Sequence, residues 1–160
     1  HFAISIALEK DNEIIVGGVY QPLTDEFFWA VKGRGAFCNN LRLRVSSREN
    51  LEDCMIGTGI PHRGMKGHEE YLPGLKTVME NVCGVRRLGA ASLDLAYVAA
   101  GKFDGYWEKN LKLVDIAAGS LIVKEAGGKV TDFEGREEYL NSGRILATNF
   151  RIHEQLQRII

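Results

Sequence analysis

The stretch Glu108-Lys109-Asn110-Leu111-Lys112-Leu113-Val114-Asp115-Ile116-Ala117-Ala118-Gly119 decides how this chain is read. It follows the aromatic run Phe103-Asp104-Gly105-Tyr106-Trp107, which sets a carboxylate, Glu108, at the end of a strand. A second carboxylate, Asp115, then opens a helix of small residues, and small residues let a helix pack close to its neighbours. A helix start carries partial positive charge and unpaired N–H groups, so it suits phosphate or another anion. A carboxylate beside it suits a hard cation such as Mg²⁺, which takes oxygen ligands and shares them with substrate phosphate. Glu108 and Asp115 together point to metal-assisted phosphate chemistry.

On the C-terminal side, the helix is expected to run from Asp115 to Ala126 and to stop at Gly127-Gly128. Strands are expected at Lys129–Asp132 and Arg144–Thr148, and an amphipathic helix over Arg151–Ile160. On the N-terminal side, Ser92–Ala100 reads as a helix that ends at Gly101. Val85–Leu88 and Cys54–Ile60 read as strands, separated by a helix whose apolar face is Leu72, Leu75, Val78, Met79 and Val82. This alternation of strand and helix argues for a layered α/β unit.

The first third has another pattern. Residues 2–9 and 13–20 are apolar runs around Lys10-Asp11-Asn12, a hairpin signal. Strands at Glu26–Lys32, Ala36–Cys38 and Leu41–Val45 extend it into an antiparallel meander. The polar link Ser46-Ser47-Arg48-Glu49-Asn50 divides the chain. Residues 1–50 are expected to be the end of an N-terminal antiparallel sheet domain, and residues 51–160 a C-terminal α/β domain. The sequence begins at His1, already inside a strand pattern, and so reads as a piece of a longer protein.

At 160 residues the chain can bury one sizeable core or two small ones. With 45% hydrophobic and 26% charged residues it has an ordinary globular composition. A net charge of −1 implies no polyanion-binding surface, so no nucleic-acid partner is expected. No apolar run is long enough to cross a bilayer. Cys38, Cys54 and Cys83 have no metal-like spacing, and buried, reduced thiols in a cytoplasmic protein are expected.

Further residues carry the family signal. Lys32-Gly33-Arg34-Gly35-Ala36-Phe37, Arg86-Arg87-Leu88-Gly89-Ala90-Ala91-Ser92-Leu93-Asp94-Leu95-Ala96-Tyr97-Val98-Ala99-Ala100-Gly101, Asp115-Ile116-Ala117-Ala118-Gly119 and Glu125-Ala126-Gly127-Gly128 occur in that order. With them, essentially the whole chain resembles the C-terminal part of the inositol monophosphatase family. These are Mg²⁺-dependent, Li⁺-sensitive phosphatases of the sugar-phosphatase fold.

The resemblance implies that Asp115 is a metal ligand facing the scissile ester and that Glu108 accepts a hydroxyl of the substrate alcohol. It implies that Gly89, Ala90 and Ala91 line the substrate pocket, offering backbone N–H groups with little bulk. It also implies myo-inositol phosphate as substrate and a homodimer. Fructose 1,6-bisphosphate, 3′-phosphoadenosine 5′-phosphate, histidinol phosphate and NADP are the alternative substrates, and a non-catalytic scaffold is the alternative of another class.

Two departures stand out. Val114 replaces the family's Trp before the metal-binding Asp, with a loss of packing expected there. The family's other metal ligands, a Glu and an Asp-Pro-x-Asp-Gly-Thr segment, do not occur in these residues. The chain alone is therefore expected to lack useful phosphatase activity. An antiparallel sheet without its cover is also expected to expose apolar surface and free edges.

Other residues call for plainer roles. Arg86 and Arg87 are expected to be surface or structural ion-pair partners, and His62 and His68 solvent-exposed. Thr58-Gly59 ends a strand near the pocket. Asp94 and Asp132 match family positions, but helix or strand-end roles suffice for both. Lys124 and Glu125 are expected on a solvated helix face.

Overall fold

The computed structural model describes residues 1–61, 64 and 66–160; His62, Arg63 and Met65, and with them the reading of His62, lie outside the described residues. The first five strands, β1 (Ile4–Lys10), β2 (Glu13–Gln21), β3 (Glu26–Val31), β4 (Gly35–Cys38) and β5 (Leu41–Arg42), form one antiparallel sheet in sequence order. Asp11 and Asn12 join β1 to β2 with φ of 53° and 62°, both in the left-handed region that a type I′ hairpin turn requires. The strand expected over Leu41–Val45 shortens to Leu41–Arg42, and Val45 N–H instead donates to Ala126 O at 3.2 Å.

The remaining elements are β6 (Met55–Thr58), α1 (His68–Asn81), β7 (Gly84–Arg86), α2 (Ala91–Ala99), β8 (Gly105–Glu108), α3 (Leu113–Glu125), β9 (Lys129–Thr131), α4 (Tyr139–Ser142), β10 (Ile145–Thr148) and α5 (His153–Gln157). Their strands form a mixed sheet in the order β7-β6-β8-β10-β9. β6 runs parallel to β7 and β8, while β10 runs antiparallel to β8 and β9. The layered α/β architecture read from the sequence is the architecture of the molecule.

α2 and α3 fill the space between the two sheets. Every residue of α3 from Ile116 to Val123 is buried, as expected of a helix that is apolar all round. Its small residues permit the approach. A Cβ on Gly17 of β2 would come within 2.8 Å of the Ala118 carbonyl oxygen, and one on Gly119 within 2.6 Å of Leu95 in α2. One apolar core therefore joins Val19, Phe28 and Ala30 of the first sheet to Leu95, Ile116 and Ile122 of the helices and Tyr106 of the second sheet. A second cluster on the far side of the mixed sheet gathers Ile56, Val78, Trp107, Leu146, Ile152 and Leu156 under α1 and α5.

The 46–50 link is tied down by Asp104, which is fully buried. Its carboxylate accepts from Ser46 Oγ, from Arg48 Nη1 at 3.0 Å and from Met55 N–H at 2.7 Å. The outer face of the first sheet is apolar and open, with Ile4, Ile6, Leu8 and Phe27 exposed.

Several expectations are corrected. The final helix is only His153–Gln157, because Phe150 adopts a left-handed φ of 76° just before it and Ile159 and Ile160 fold back onto the second cluster. On α1, Val78 is buried, but Leu72 and Met79 are more than half exposed. Of the three thiols Cys54 is buried, Cys38 half-buried and Cys83 exposed. Among the described residues, no helix is long and apolar enough to cross a membrane.

Candidate active site

Strand alternation places Tyr106 and Glu108 on one face of β8, and the Tyr106 hydroxyl donates to Glu108 Oε2. The Glu108 carboxylate lies against Gly59, just beyond the end of β6. Burial raises its pKa above the ordinary carboxylate range, and the charge of Asp115 pushes the same way. The Tyr106 hydrogen bond and the Arg87 guanidinium work against both.

Asp115 is not the first helical residue. α3 begins two residues earlier, at Leu113, and Asp115 sits at its third position. From there its Oδ2 accepts the N–H of Lys112 at 2.8 Å, the reciprocal half of a capping box. This satisfies a donor that helix geometry would leave unpaired. Val114, the residue before it, is 68% exposed and borders the same cavity.

Gly89 has a φ of +83°, a left-handed conformation that glycine adopts without strain. It turns the chain into the start of α2. Glu108, Asp115, Gly89, Ala90 and Ala91 all border one cavity of about 620 Å³. The five residues singled out in the sequence are thus brought together, although three separate segments supply them.

Three further residues belong to this arrangement. Arg87 borders the cavity, and neither Arg86 nor Arg87 makes an ion pair among the described residues. Tyr106 supports Glu108 from below, a role that its i, i+2 spacing signals. Gly59 leaves the space that Glu108 occupies, which a lone glycine after a strand does not announce. Thr58, beside it, is a support: its hydroxyl donates to Trp107 O at 2.9 Å and bonds the Tyr71 hydroxyl at 2.6 Å. His68 is exposed at the start of α1, as expected.

Glu125 departs most from its sequence reading. At the far end of α3 its carboxylate accepts the N–H groups of Gly33 at 2.7 Å and Gly35 at 2.8 Å. It clamps the turn between β3 and β4 rather than facing solvent. Lys124 is exposed, with its ammonium 5.3 Å from the Tyr139 ring centre.

Among the described residues, no group of three or more His, Cys, Asp or Glu side chains is arranged to hold a metal ion. Mg²⁺ demands near-octahedral oxygen coordination. Asp115 fits as one ligand of such a site, and these residues do not make a whole one.

The inositol monophosphatase family model matches residues 1–160. Among curated relatives, inositol-1-monophosphatase of Rhizobium meliloti (strain 1021) is 52% identical over 160 residues, which is 100% of this chain and 60% of the relative. The chain thus spans about three-fifths of the length of this relative. Among solved structures, extragenic suppressor protein suhB from Bartonella henselae superimposes with a TM-score of 0.96 at 52% identity, over 99% of this chain and 61% of the other. Inositol monophosphatase from Anabaena (Nostoc) sp. PCC 7120 superimposes with a TM-score of 0.92 at 37% identity, over 99% of this chain and 63% of the other. Sequence and fold agree: the chain belongs to the inositol monophosphatase family.

Proposed function

We propose that the longest natural polypeptide carrying this sequence hydrolyses a small polyol phosphate monoester, with myo-inositol 1-phosphate the first candidate. The observation that carries this reading is the cavity in which Asp115, at the start of α3, meets Glu108 over the Gly89–Ala91 turn. Glu108 accepts a hydroxyl of the alcohol, held in place by Tyr106. The Gly89–Ala91 turn bounds the pocket with small residues. Asp115 contributes one oxygen ligand to Mg²⁺, which when bound would offset charge on the phosphate and the leaving oxygen. The remaining ligands come from outside these residues, so the chain alone is expected to be inactive. The naming of the Rhizobium meliloti relative supports the substrate class.

The test is phosphate release from myo-inositol 1-phosphate by that longer polypeptide, with Mg²⁺ and after its removal with EDTA. Fructose 1,6-bisphosphate, 3′-phosphoadenosine 5′-phosphate, histidinol phosphate and NADP serve as competing substrates. Release from none of them overturns the reading, and preference for another changes the substrate. Li⁺ inhibition and a homodimer are proposed on family grounds, as is the division into residues 1–50 and 51–160 as parts of two domains. A cytoplasmic location is proposed from the three free thiols.

A non-catalytic scaffold is the second reading. It is favoured for the chain by itself by the lack of a metal-binding group of three side chains among the described residues. Calorimetric titration with Mg²⁺ separates the two: a folded longer polypeptide that takes up no Mg²⁺ would favour the scaffold.

A further inference from the structure

Arg87 is a cation of the cavity wall that no step so far uses. It directly follows β7, is exposed and borders the cavity. It makes no ion pair among the described residues, whereas Lys109 on the same wall is held by Glu70 at 3.1 Å. An exposed arginine ordinarily swings free in water, but this one is set against the pocket turn. A Cβ on Gly89 would lie 2.9 Å from Arg87 Nη1 and 3.2 Å from its Cζ. The guanidinium thus occupies the space that a side chain on the turn would fill.

The neighbouring charge decides what such a guanidinium reads. Glu108 borders the same cavity, and the Arg87 charge opposes the rise in its pKa although the two form no ion pair. The wall therefore offers an acceptor and a fork of N–H donors, each seated over its own glycine: Glu108 over Gly59, and Arg87 over Gly89. A carboxylate accepts a hydroxyl, and a guanidinium presents planar donors to oxygen. Neighbouring hydroxyls of a polyol use both groups, one donating to Glu108 and the next accepting from Arg87. A second phosphate on the alcohol would gain Arg87 but meet the like charge of Glu108, which is costly. The arrangement favours a neutral, hydroxylated alcohol.

We propose that Arg87 is a specificity-determining residue: its guanidinium donates to one oxygen of the alcohol while Glu108 accepts a neighbouring hydroxyl, so that together they select a polyol over a plain alcohol. This rests on the reading of the cavity as a polyol-phosphate site.

The test uses the longer polypeptide with Arg87→Met and Arg87→Lys. The readout is the ratio of kcat/KM for myo-inositol 1-phosphate to that for propyl phosphate, whose alcohol has no further hydroxyl. In Arg87→Met this ratio is expected to fall about tenfold, chiefly through a higher KM for the inositol substrate. Lysine keeps the charge without the fork, and Arg87→Lys is expected to lower the ratio about threefold. An arginine that only props the turn would lower both rates alike, so an unchanged ratio overturns the proposal. A larger loss on fructose 1,6-bisphosphate than on myo-inositol 1-phosphate also overturns it, because Arg87 would then read a second phosphate. If Arg87→Met does not fold, the ratio in Arg87→Lys decides by the same signs.

A wild-type protein without phosphatase activity sinks the function reading instead. Calorimetric titration with myo-inositol 1-phosphate then decides on Arg87. Binding about tenfold weaker to Arg87→Met supports its role, and equal binding, or none to the wild type, removes it.

Discussion

The Glu108 carboxyl occupies the space a side chain on Gly59 would need: a Cβ there would lie 1.8 Å from Glu108 Cδ. Position 59 therefore controls where the Glu108 carboxylate, the proposed hydroxyl acceptor, sits. In the longer polypeptide, Gly59→Ala is expected to push Glu108 from the cavity wall and lower kcat/KM about tenfold or more, with a stability loss of about 1–3 kcal/mol from overpacking. Steady-state kinetics beside a melting curve checks this, and wild-type kinetics would show that Glu108 need not be where it is.

Glu108→Gln keeps the shape and removes the charge. A hydrogen bond to a charged acceptor contributes about 1.5–3 kcal/mol, so KM for a polyol phosphate is expected to rise about ten- to a hundredfold. A phosphate monoester with no hydroxyl at that position should be hydrolysed equally by both forms. An equal loss on both substrates would place Glu108 elsewhere in the mechanism.

His153 sets a pH limit on the fold. It is 1% exposed, and its ring nitrogens bond the hydroxyls of Thr131 and Thr148, each at 2.9 Å. Burial, with a contribution from Lys129, lowers its pKa to about 4. Because the folded value lies below the unfolded one, near 6.5, the His153 contribution is fully present above that pH. It is lost as pH falls towards 4, at up to about 1.4 kcal/mol per pH unit. Urea midpoints at pH 7, 5.5 and 4.5 are expected to fall more steeply for the wild type than for His153→Gln. Parallel lines would mean that another group carries the acid limb.

Glu125→Ala leaves the N–H groups of Gly33 and Gly35 without their acceptor. A loss of about 1–3 kcal/mol is expected, seen as a lower urea midpoint at unchanged slope. If Glu125 instead pointed into solvent, the substitution would fall within about 0.5 kcal/mol of neutral.

Periodicity made the regular parts legible. The Asp11-Asn12 turn, the meander and the alternation from β6 onward follow from local apolar spacing and turn chemistry. The meeting of Glu108, Asp115 and the Gly89 turn does not follow from spacing; only the family resemblance implied it. What escaped depends on distant partners. Glu125 has a helix-surface pattern, and only the fold brings it to Gly33 and Gly35, about ninety residues earlier. α4 is a four-residue turn, too short to show a period. Leu72 and Met79 lie on the stripe that periodicity marks, yet α1 buries only Tyr71 and Val78 fully. The space beside Gly59 is a property of the Glu108 side chain, and no pattern within residues 57–59 encodes it.

α3, enclosed from Ile116 to Val123, ties the time scale of the site to that of the whole molecule. Helices of this kind do not fray singly, because their amides open only when the surrounding layers separate. The Asp115 end of the cavity is therefore expected to stay put while surface turns fluctuate. Hydrogen exchange in the α3 core should proceed at the rate of global unfolding. Loss of the aspartate's position and loss of the fold then become one event, and an inactivation curve measured on heating would trace the unfolding curve.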